Sequence, residues 1–583
     1  MATYALRNIQ NLSRLLDAGK KTLASTLRCA STIPQNRIKT GPNGEKIIIS
    51  PFPDVTYPET LLHEFVWSNS ENYPNHIALE CGVNGKKYTY AQAKDATSYI
   101  GRSLRNIGLK TNDVIAIIAP NLPDAILGLL GSSSGGFIAT TMNPVFTAEE
   151  ISRQMLKANV KAVITSTVIA PTALAATKAC LPPGTPFIVI DDKTGPIPEG
   201  SIPFDDLITR GKSLSPVKLD ATCDDIVVLP FSSGTTGLPK GVMLTHRNLI
   251  SNIVMTHSST LNFFQPTSDT FQDVIPLILP FFHIYGMNSV TYPRLHFGSK
   301  IVTIPKFVPE TFLNVMEKSK ATSLFVVPPI VIFLSNSPLV KKKHLEHLHL
   351  IMSGAAPLAK SDADKLIDKF NIDTNVTKVC QGYGLTESAP VAFIEREMKY
   401  SSIGKNIASC EVRLVDIATQ QDICTPHQSG ELLVRGPHVM KGYLNDDAST
   451  KATLTEDNWL KTGDLAYFDE DLDFYIADRM KELIKVKGFQ VPPAELEALL
   501  RTHPDVMEAA VIGIPHARDG EVPRAFVVAK KDKKPTEDDI KNFIKGKVSE
   551  YKELKGGVAF VNEIPKSTTG KILRSKLKSE FKS

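Results

Sequence analysis

Between residues 48 and 219 the chain alternates between two hydrophobic periods. Short β-branched runs at 114–118, 162–164 and 187–190 are separated by segments such as 90–107 and 148–158, whose apolar positions recur at helical spacing. This alternation predicts a mostly parallel sheet with helices on both faces. PPG at 182–184 and the proline-flanked stretch 196–203 mark loops. The apolar run IVVLP at 226–230 predicts a strand that leads into SSGTTGLPKG at 232–241, and 249–256 reads as a helix. PPAEL at 492–496 has the proline-rich start of another helix, and a compact α+β pattern follows it to the C-terminus. The expected fold class is therefore α/β, one large unit followed by a small α+β unit, and 583 residues are enough for both.

Charge changes the picture only at the N-terminus. The formal net charge is +5, but residues 1–40 hold seven Lys or Arg and one acid, Asp17, and the remainder carries 59 basic against 60 acidic residues. A general nucleic-acid surface is thereby disfavoured. Arg7, Arg14, Lys21 and Arg28 recur every seven residues beside Leu6, Ile9, Leu12, Leu16, Leu23 and Leu27. An amphipathic, Arg- and Ser-rich, acid-poor segment of this kind reads as a mitochondrial transit peptide over 1–40, with an uncleaved surface helix as the alternative. No apolar run approaches the roughly 18 residues of a membrane span. Ser575-Lys576-Leu577 is internal and so does not serve as a peroxisomal address. The seven cysteines are scattered without a CxxC pair, which indicates neither a disulfide framework nor a zinc site.

Candidate chemistry begins at 232–241. Gly234, Gly237 and Gly241 allow close backbone approach to an anion. Ser232, Ser233, Thr235 and Thr236 supply hydroxyls, and Lys240 adds a charge. It is not a Walker A loop, because Gly241 follows the lysine where Ser or Thr is required. By itself such a segment is commonly a solvated turn. Downstream, LPFFHIYG at 279–286 carries His283 among aromatics, a setting more typical of a core histidine. MSGAAP at 352–357 offers small residues against which a flat ring can lie. In QGYGLTE at 381–387, Tyr383 offers a stacking face, Thr386 a hydroxyl and Glu387 a hard oxygen for Mg²⁺. Asp464 is suited to ribose hydroxyls with Arg479 as a complementary donor, and Lys571 follows Thr-Thr-Gly near the C-terminus.

Taken together and in order, SSGTTGLPKG, LPFFHIYG, MSGAAPL, QGYGLTES, KTGD, DRMKELIKVKGFQV and PKSTTGKILR resemble the ANL superfamily of adenylate-forming enzymes. The nearest branch is that of 4-coumarate:CoA ligases, firefly luciferase and acyl-CoA synthetases, and the resemblance covers about residues 50–578. It implies an adenylation domain over 50–477 built of packed α/β sheets and a barrel-like subdomain, a hinge at 478–481, and a mobile C-terminal domain over 482–578. It also implies two half-reactions: a carboxylate attacks the α-phosphorus of MgATP to give an acyl-adenylate and pyrophosphate, and CoA thiol then displaces AMP.

By that resemblance Ser232, Ser233, Gly234, Thr235, Thr236, Gly237 and Lys240 hold the phosphates, while Thr236 and Glu387 place the metal. Gly354, Ala355, Ala356, Gln381, Gly382, Tyr383, Gly384 and Thr386 surround the nucleotide, with Asp464 and Arg479 at the ribose. Lys571 serves adenylation; Lys485 and Gln490 replace it after rotation, beside Lys487 and Gly488 near CoA. His283 lies between the acyl pocket and the CoA path, and Phe282, Tyr285, Pro390 and Val391 wall the pocket. The expected substrates are a small carboxylic acid, ATP and CoA, with no nucleic acid or obligate protein partner. A medium-chain fatty acid in the mitochondrial matrix is the favoured reading; cytosol or peroxisome are the alternative compartments. A hydroxycinnamate ligase and a luciferase-like monooxygenase are the alternative activities. Asn252, where beetle luciferases carry arginine near luciferin, counts against light emission. An adenylation domain serving a carrier protein and a non-catalytic scaffold are the remaining rivals.

Overall fold

A computed structural model describes residues 37–580 apart from 233–238, 261–262, 400, 480–481, 487–488, 517, 549 and 568–569. The alternating first third forms a nine-stranded sheet. Ile226–Val228, Ile138–Thr141, Val114–Ile118, Val160–Ser166, Phe187–Ile190 and Ile202–Pro203 run parallel, in that order with Val160–Ser166 beside Val114–Ile118. Lys240–Thr245 pairs antiparallel with Ile226–Val228, with Phe231–Ser232 and with Gly442–Tyr443. Every residue of Val114–Ile118 is buried, as expected for a strand covered on both faces. Helices start where hydroxyl caps precede them. Thr89, Thr147 and Thr245 accept from the backbone N–H three residues on, opening Tyr90–Asn106, Ala148–Ala158 and His246–Ser259.

A five-stranded sheet follows, ordered Ser323–Val326, Leu350–Ser353, Lys378–Gly384, Val391–Ile394 and Lys405–Asn406; the first three strands are parallel. Val274–Leu277, Lys300–Thr303, Ile77–Cys81 and Lys87–Thr89 make a four-stranded sheet. An antiparallel six-stranded sheet joins Ile38–Thr40 and Lys46–Ile48 to Glu411–Val415, Gly430–Arg435, Leu460–Phe468 and Phe474–Arg479. The C-terminal unit packs Phe489–Val491, Ile484–Val486, Gly520–Ala529, Val506–His516 and Val558–Phe560 against Pro493–Arg501 and Glu537–Ile544 around its own core.

Two expected boundaries shift. A leader ending at residue 40 overlaps Ile38–Thr40, which pairs with Lys46–Ile48, and the Arg37 guanidinium donates to the Ile49 carbonyl at 2.7 Å. Those ladder and side-chain bonds make 37–40 part of the folded sheet. The hinge expected at 478–481 begins inside Phe474–Arg479, whose last two residues pair with Leu465 and Asp464. Residues 480–481 lie outside the described residues. The segment 1–36, which carries the cationic recurrence, does so too.

Candidate active site

Three chain segments meet at Glu387. Ser232, at the end of Phe231–Ser232, donates its hydroxyl to Glu387 Oε1 at 3.0 Å, and the Tyr443 hydroxyl donates to the same oxygen at 2.9 Å. Tyr443 is held there by sheet register, opposite Val242 in Lys240–Thr245. The Met440 N–H donates to the Glu387 carbonyl, which ties the strap 440–443 to the acidic turn. Lys240 places its ammonium 5.1 Å from the centre of the Tyr443 ring. Glu387 Oε2 accepts no hydrogen bond among the described residues, so a hard carboxylate oxygen remains for a cation such as Mg²⁺, with Lys240 beside it for phosphate charge.

On the other side of this turn, Lys378–Gly384 carries Tyr383, whose hydroxyl donates to Asp464 Oδ2 at 2.5 Å. Asp464 is buried and stands opposite Arg479 across two antiparallel strands. Gly354, Ala355, Gly382, Tyr383, Gly384 and Thr386 line one continuous cavity. Gln381 does not open on it. Its amide accepts from Leu358 N–H and donates to the Ser402 carbonyl, joining two loops beneath the site. Ala356 and Phe282 are also outside the lining, and the Phe282 carbonyl accepts from the Thr141 hydroxyl.

The same cavity continues past His283, Tyr285, Pro390 and Val391. Tyr285 opens the π-helix Tyr285–Thr291, a local widening that often accompanies binding sites. Its hydroxyl donates to the Met352 carbonyl at 3.1 Å, and its ring lies so close to Gly354 that a Cβ there would sit 3.0 Å from it. A side chain at Gly384 would strike the Pro390 carbonyl. The Ser388–Val391 wall is braced from behind. Asn252, from His246–Ser259, donates to the Val391 carbonyl at 2.7 Å and accepts from its N–H at 3.3 Å, while Asn288 donates to the Ala389 carbonyl at 2.6 Å.

The C-terminal unit closes the cavity with Lys571. Gly570 takes φ +79°, and the position of a Cβ there is 3.3 Å from the Pro329 ring, so a small residue in left-handed backbone brings the loop against the large domain. Ser567 N–H donates to the Lys571 carbonyl, which steadies the turn. Lys571 faces His283, whose pKa is pushed down to about 4 by burial first and by the Lys571 charge second. The imidazole is therefore neutral near pH 7, with Nδ1 accepting from the Tyr285 N–H at 3.2 Å. Lys485 stands apart from the cavity, exposed, opposite Gln490 on the hairpin Ile484–Val486/Phe489–Val491.

The expected phosphate residues Ser233, Gly234, Thr235, Thr236 and Gly237, and the CoA residues Lys487 and Gly488, lie outside the described residues, as do the side chains of Arg479 and Gln490. Sequence reasoning gave no role to Tyr443 or Arg294, and read Asn252 only as a departure from the luciferases. Tyr443 reaches Glu387 only through strand pairing. Asn252 braces the cavity wall through a buried amide. Arg294 lines the cavity 11 residues after His283, and its one sequence signal is a lone charge in the otherwise uncharged stretch 284–295.

Comparison with known proteins agrees with this geometry. Residues 66–444 match the family described as AMP-binding enzyme, and 495–571 match the AMP-binding enzyme C-terminal domain. The 4-coumarate–CoA ligase 1 of Arabidopsis thaliana is 38% identical over 550 residues, covering 92% of this chain and 96% of its own. The 4-coumarate–CoA ligase 2 of Solanum tuberosum is 39% identical over 554 residues, covering 93% and 98%. The ATP-bound crystal structure of MatB from Rhodopseudomonas palustris superposes with a TM-score of 0.79 at 26% identity, over 90% of this chain and 99% of that one. Enzymes of this superfamily use ATP, Mg²⁺ and CoA. The chain belongs to the AMP-binding enzyme family of the ANL superfamily, and it is an ATP-dependent, AMP-forming acid:CoA ligase that works through an acyl-adenylate.

Proposed function

We propose that this ligase activates an extended, largely apolar carboxylic acid, a class that includes hydroxycinnamates and medium-chain fatty acids. The observation that carries this reading is the cavity beyond His283. Tyr285 packed on Gly354 leaves a flat wall, and the lining runs on along His246–Ser259 and its C-cap, from Ile253 to Thr260, about 10 Å at the rise of an α-helix. Phe264, Phe325 and Met352 complete it. The 4-coumarate ligase relatives favour the planar acids; the depth of the lining favours an equally long alkyl chain.

In this reading Lys571 meets the substrate carboxylate and the α-phosphate during adenylation, and neutral His283 marks the boundary between acid and thiol paths. Lys240 and Ser232 hold the pyrophosphate side, and Tyr383 with Asp464 borders the nucleoside. Glu387 would hold the Mg²⁺ that neutralises phosphate charge. Rotation of the C-terminal domain about residues near 478–481 then removes Lys571 and brings the Lys485–Gln490 hairpin to the site for thioester formation. The cationic recurrence at Arg7, Arg14, Lys21 and Arg28 supports import into mitochondria; fractionation of a tagged full chain tests it, and a purely cytosolic or peroxisomal signal rejects it.

The substrate reading is tested by pyrophosphate release from the purified protein against fatty acids of graded length and against hydroxycinnamates. Turnover that peaks with extended acids is expected. Turnover confined to two- to four-carbon acids rejects the reading.

A further inference from the structure

On the side of the cavity formed by His246–Ser259 and Tyr285–His296, the lining turns polar. Arg294, in the helix Tyr292–His296, is 3% exposed. Its guanidinium lies 3.6 Å from the centre of the Phe264 ring and 5.5 Å from that of Phe297, so its faces are covered by aromatics. Its Nε is buried without a hydrogen bond, and no ion pair or side-chain hydrogen bond is made by the group among the described residues. Asp273 and Tyr90 act on it only through the field at longer range. Burial lowers its pKa to about 10, which leaves it charged at neutral pH.

Three further polar groups on the same stretch of lining are unsatisfied. The hydroxyls of Thr256 and Ser289 and the Nδ1 of His257 are buried without partners among the described residues. His257 is stacked on Phe297 and held neutral, its pKa pushed down to about 4 by burial first and by Arg294 second. Buried charges are ordinarily paired, and buried hydroxyls ordinarily bonded. A fixed cation, two hydroxyls and a neutral imidazole, all on residues that line one cavity, make a receptor for acceptor oxygens. A guanidinium stacked on its faces keeps its N–H edge for in-plane, bidentate contact with a carboxylate.

We propose that this cluster binds a second carboxylate at the distal end of the acid, so that the substrates are long-chain or aryl-extended diacids activated at the end that meets Lys571. The proposal rests on the extended-acid reading and narrows it. No bond changes at the distal group: Arg294 pairs with it, and Thr256 and Ser289 donate to the remaining lone pairs. A chain ending in methyl or an unsubstituted ring leaves the guanidinium buried and unpaired, and that sets the preference.

The test compares kcat/KM of the full-length protein, with ATP and CoA, for acid pairs that differ only at the far end: decanoate against decanedioate, and cinnamate against 4-carboxycinnamate. Wild type should favour the diacid of each pair by about tenfold or more. Arg294→Met should reverse the order, lowering kcat/KM for the diacids by about 30-fold through KM and by much less for the monoacids. The double variant Thr256→Val, Ser289→Ala keeps the stacked arginine, and should lower the diacid-to-monoacid ratio of kcat/KM by about threefold to tenfold. It carries the test if Arg294→Met fails to fold. Monoacids preferred by wild type, or equal loss for both members of a pair in a folded variant, overturn the assignment while leaving the extended-acid reading in place. Absence of turnover with all four acids sinks both.

Discussion

Two lysines that look alike in sequence occupy different surroundings. Lys571 lines the cavity beside His283, and its charge lowers the histidine pKa; Lys485 is exposed on the C-terminal hairpin. A preorganised cation at developing negative charge is commonly worth on the order of 3 to 4 kcal/mol in a transition state. Lys571→Ala is therefore expected to slow acyl-adenylate formation by about two to three orders of magnitude, with little effect on thioester formation from a supplied acyl-adenylate. Lys485→Ala should do the reverse. Single-turnover measurement of each half-reaction checks the pair, and equal damage to the same step would refute the division of labour. Glu387 makes a related point, because its Oε1 is occupied by Ser232 and Tyr443, which orients Oε2 without consuming it.

At the scale of elements, His246–Ser259 supplies one wall of the cavity and braces another. Its Thr245 cap fixes where the helix starts, and that start decides which face carries Asn252, Ile253, Thr256 and His257. Asn252 is 1% exposed and holds both the N–H and the carbonyl of Val391. Removing a buried amide that satisfies two backbone groups costs roughly 1 to 3 kcal/mol. Asn252→Ala is expected to lower the melting temperature and to raise KM for the acid, since Pro390 and Val391 lose their brace, with KM for ATP unchanged. Parallel rises in both constants would show that the brace serves the whole site. The Gly570 turn is a second such device, a left-handed residue against Pro329 that sets where Lys571 enters.

The whole molecule carries an acid-sensitive ledger of histidines. His63, His246, His257 and His283 are pushed down to about 4, and His438 to about 3, with burial the first cause in each. His438 has no hydrogen-bond partner at either ring nitrogen among the described residues. An unfolded histidine protonates near 6.5, so unfolding takes up protons between about pH 6.5 and 4. Stability therefore falls as pH drops through that window, by about 1.4 kcal/mol per pH unit for each histidine, and is unaffected by these groups above it. Glu395, raised to about 7 by burial, acts in the opposite sense, as do Asp362, Glu431 and Glu497, whose carboxyls burial also raises, while His296 and His344 add to the lowered histidines. Melting temperatures at pH 7, 6 and 5 should fall progressively, and a flat series would show that these rings find protons or partners in the fold.

The order of motifs along the chain was sufficient for the superfamily, the α/β class and the reaction, because those depend on short segments whose chemistry is local: a donor-rich loop, a ring-bearing strand end, a lysine on a turn. Helices such as 148–158 and strands such as 187–190 were legible to the residue, since their hydrophobic period and flanking caps are also local. What only the tertiary structure decided is which side chains from distant segments share a space. Tyr443 meets Glu387 through an antiparallel pairing across about 200 residues of sequence. Gln381 turns to the framework because two loops fold under it. Arg294 becomes a buried cation in the cavity lining, without a side-chain partner among the described residues, because aromatics from 264 and 297 close over its faces. Burial and partnership arise from contacts far apart in the chain, and no local pattern of residues encodes them.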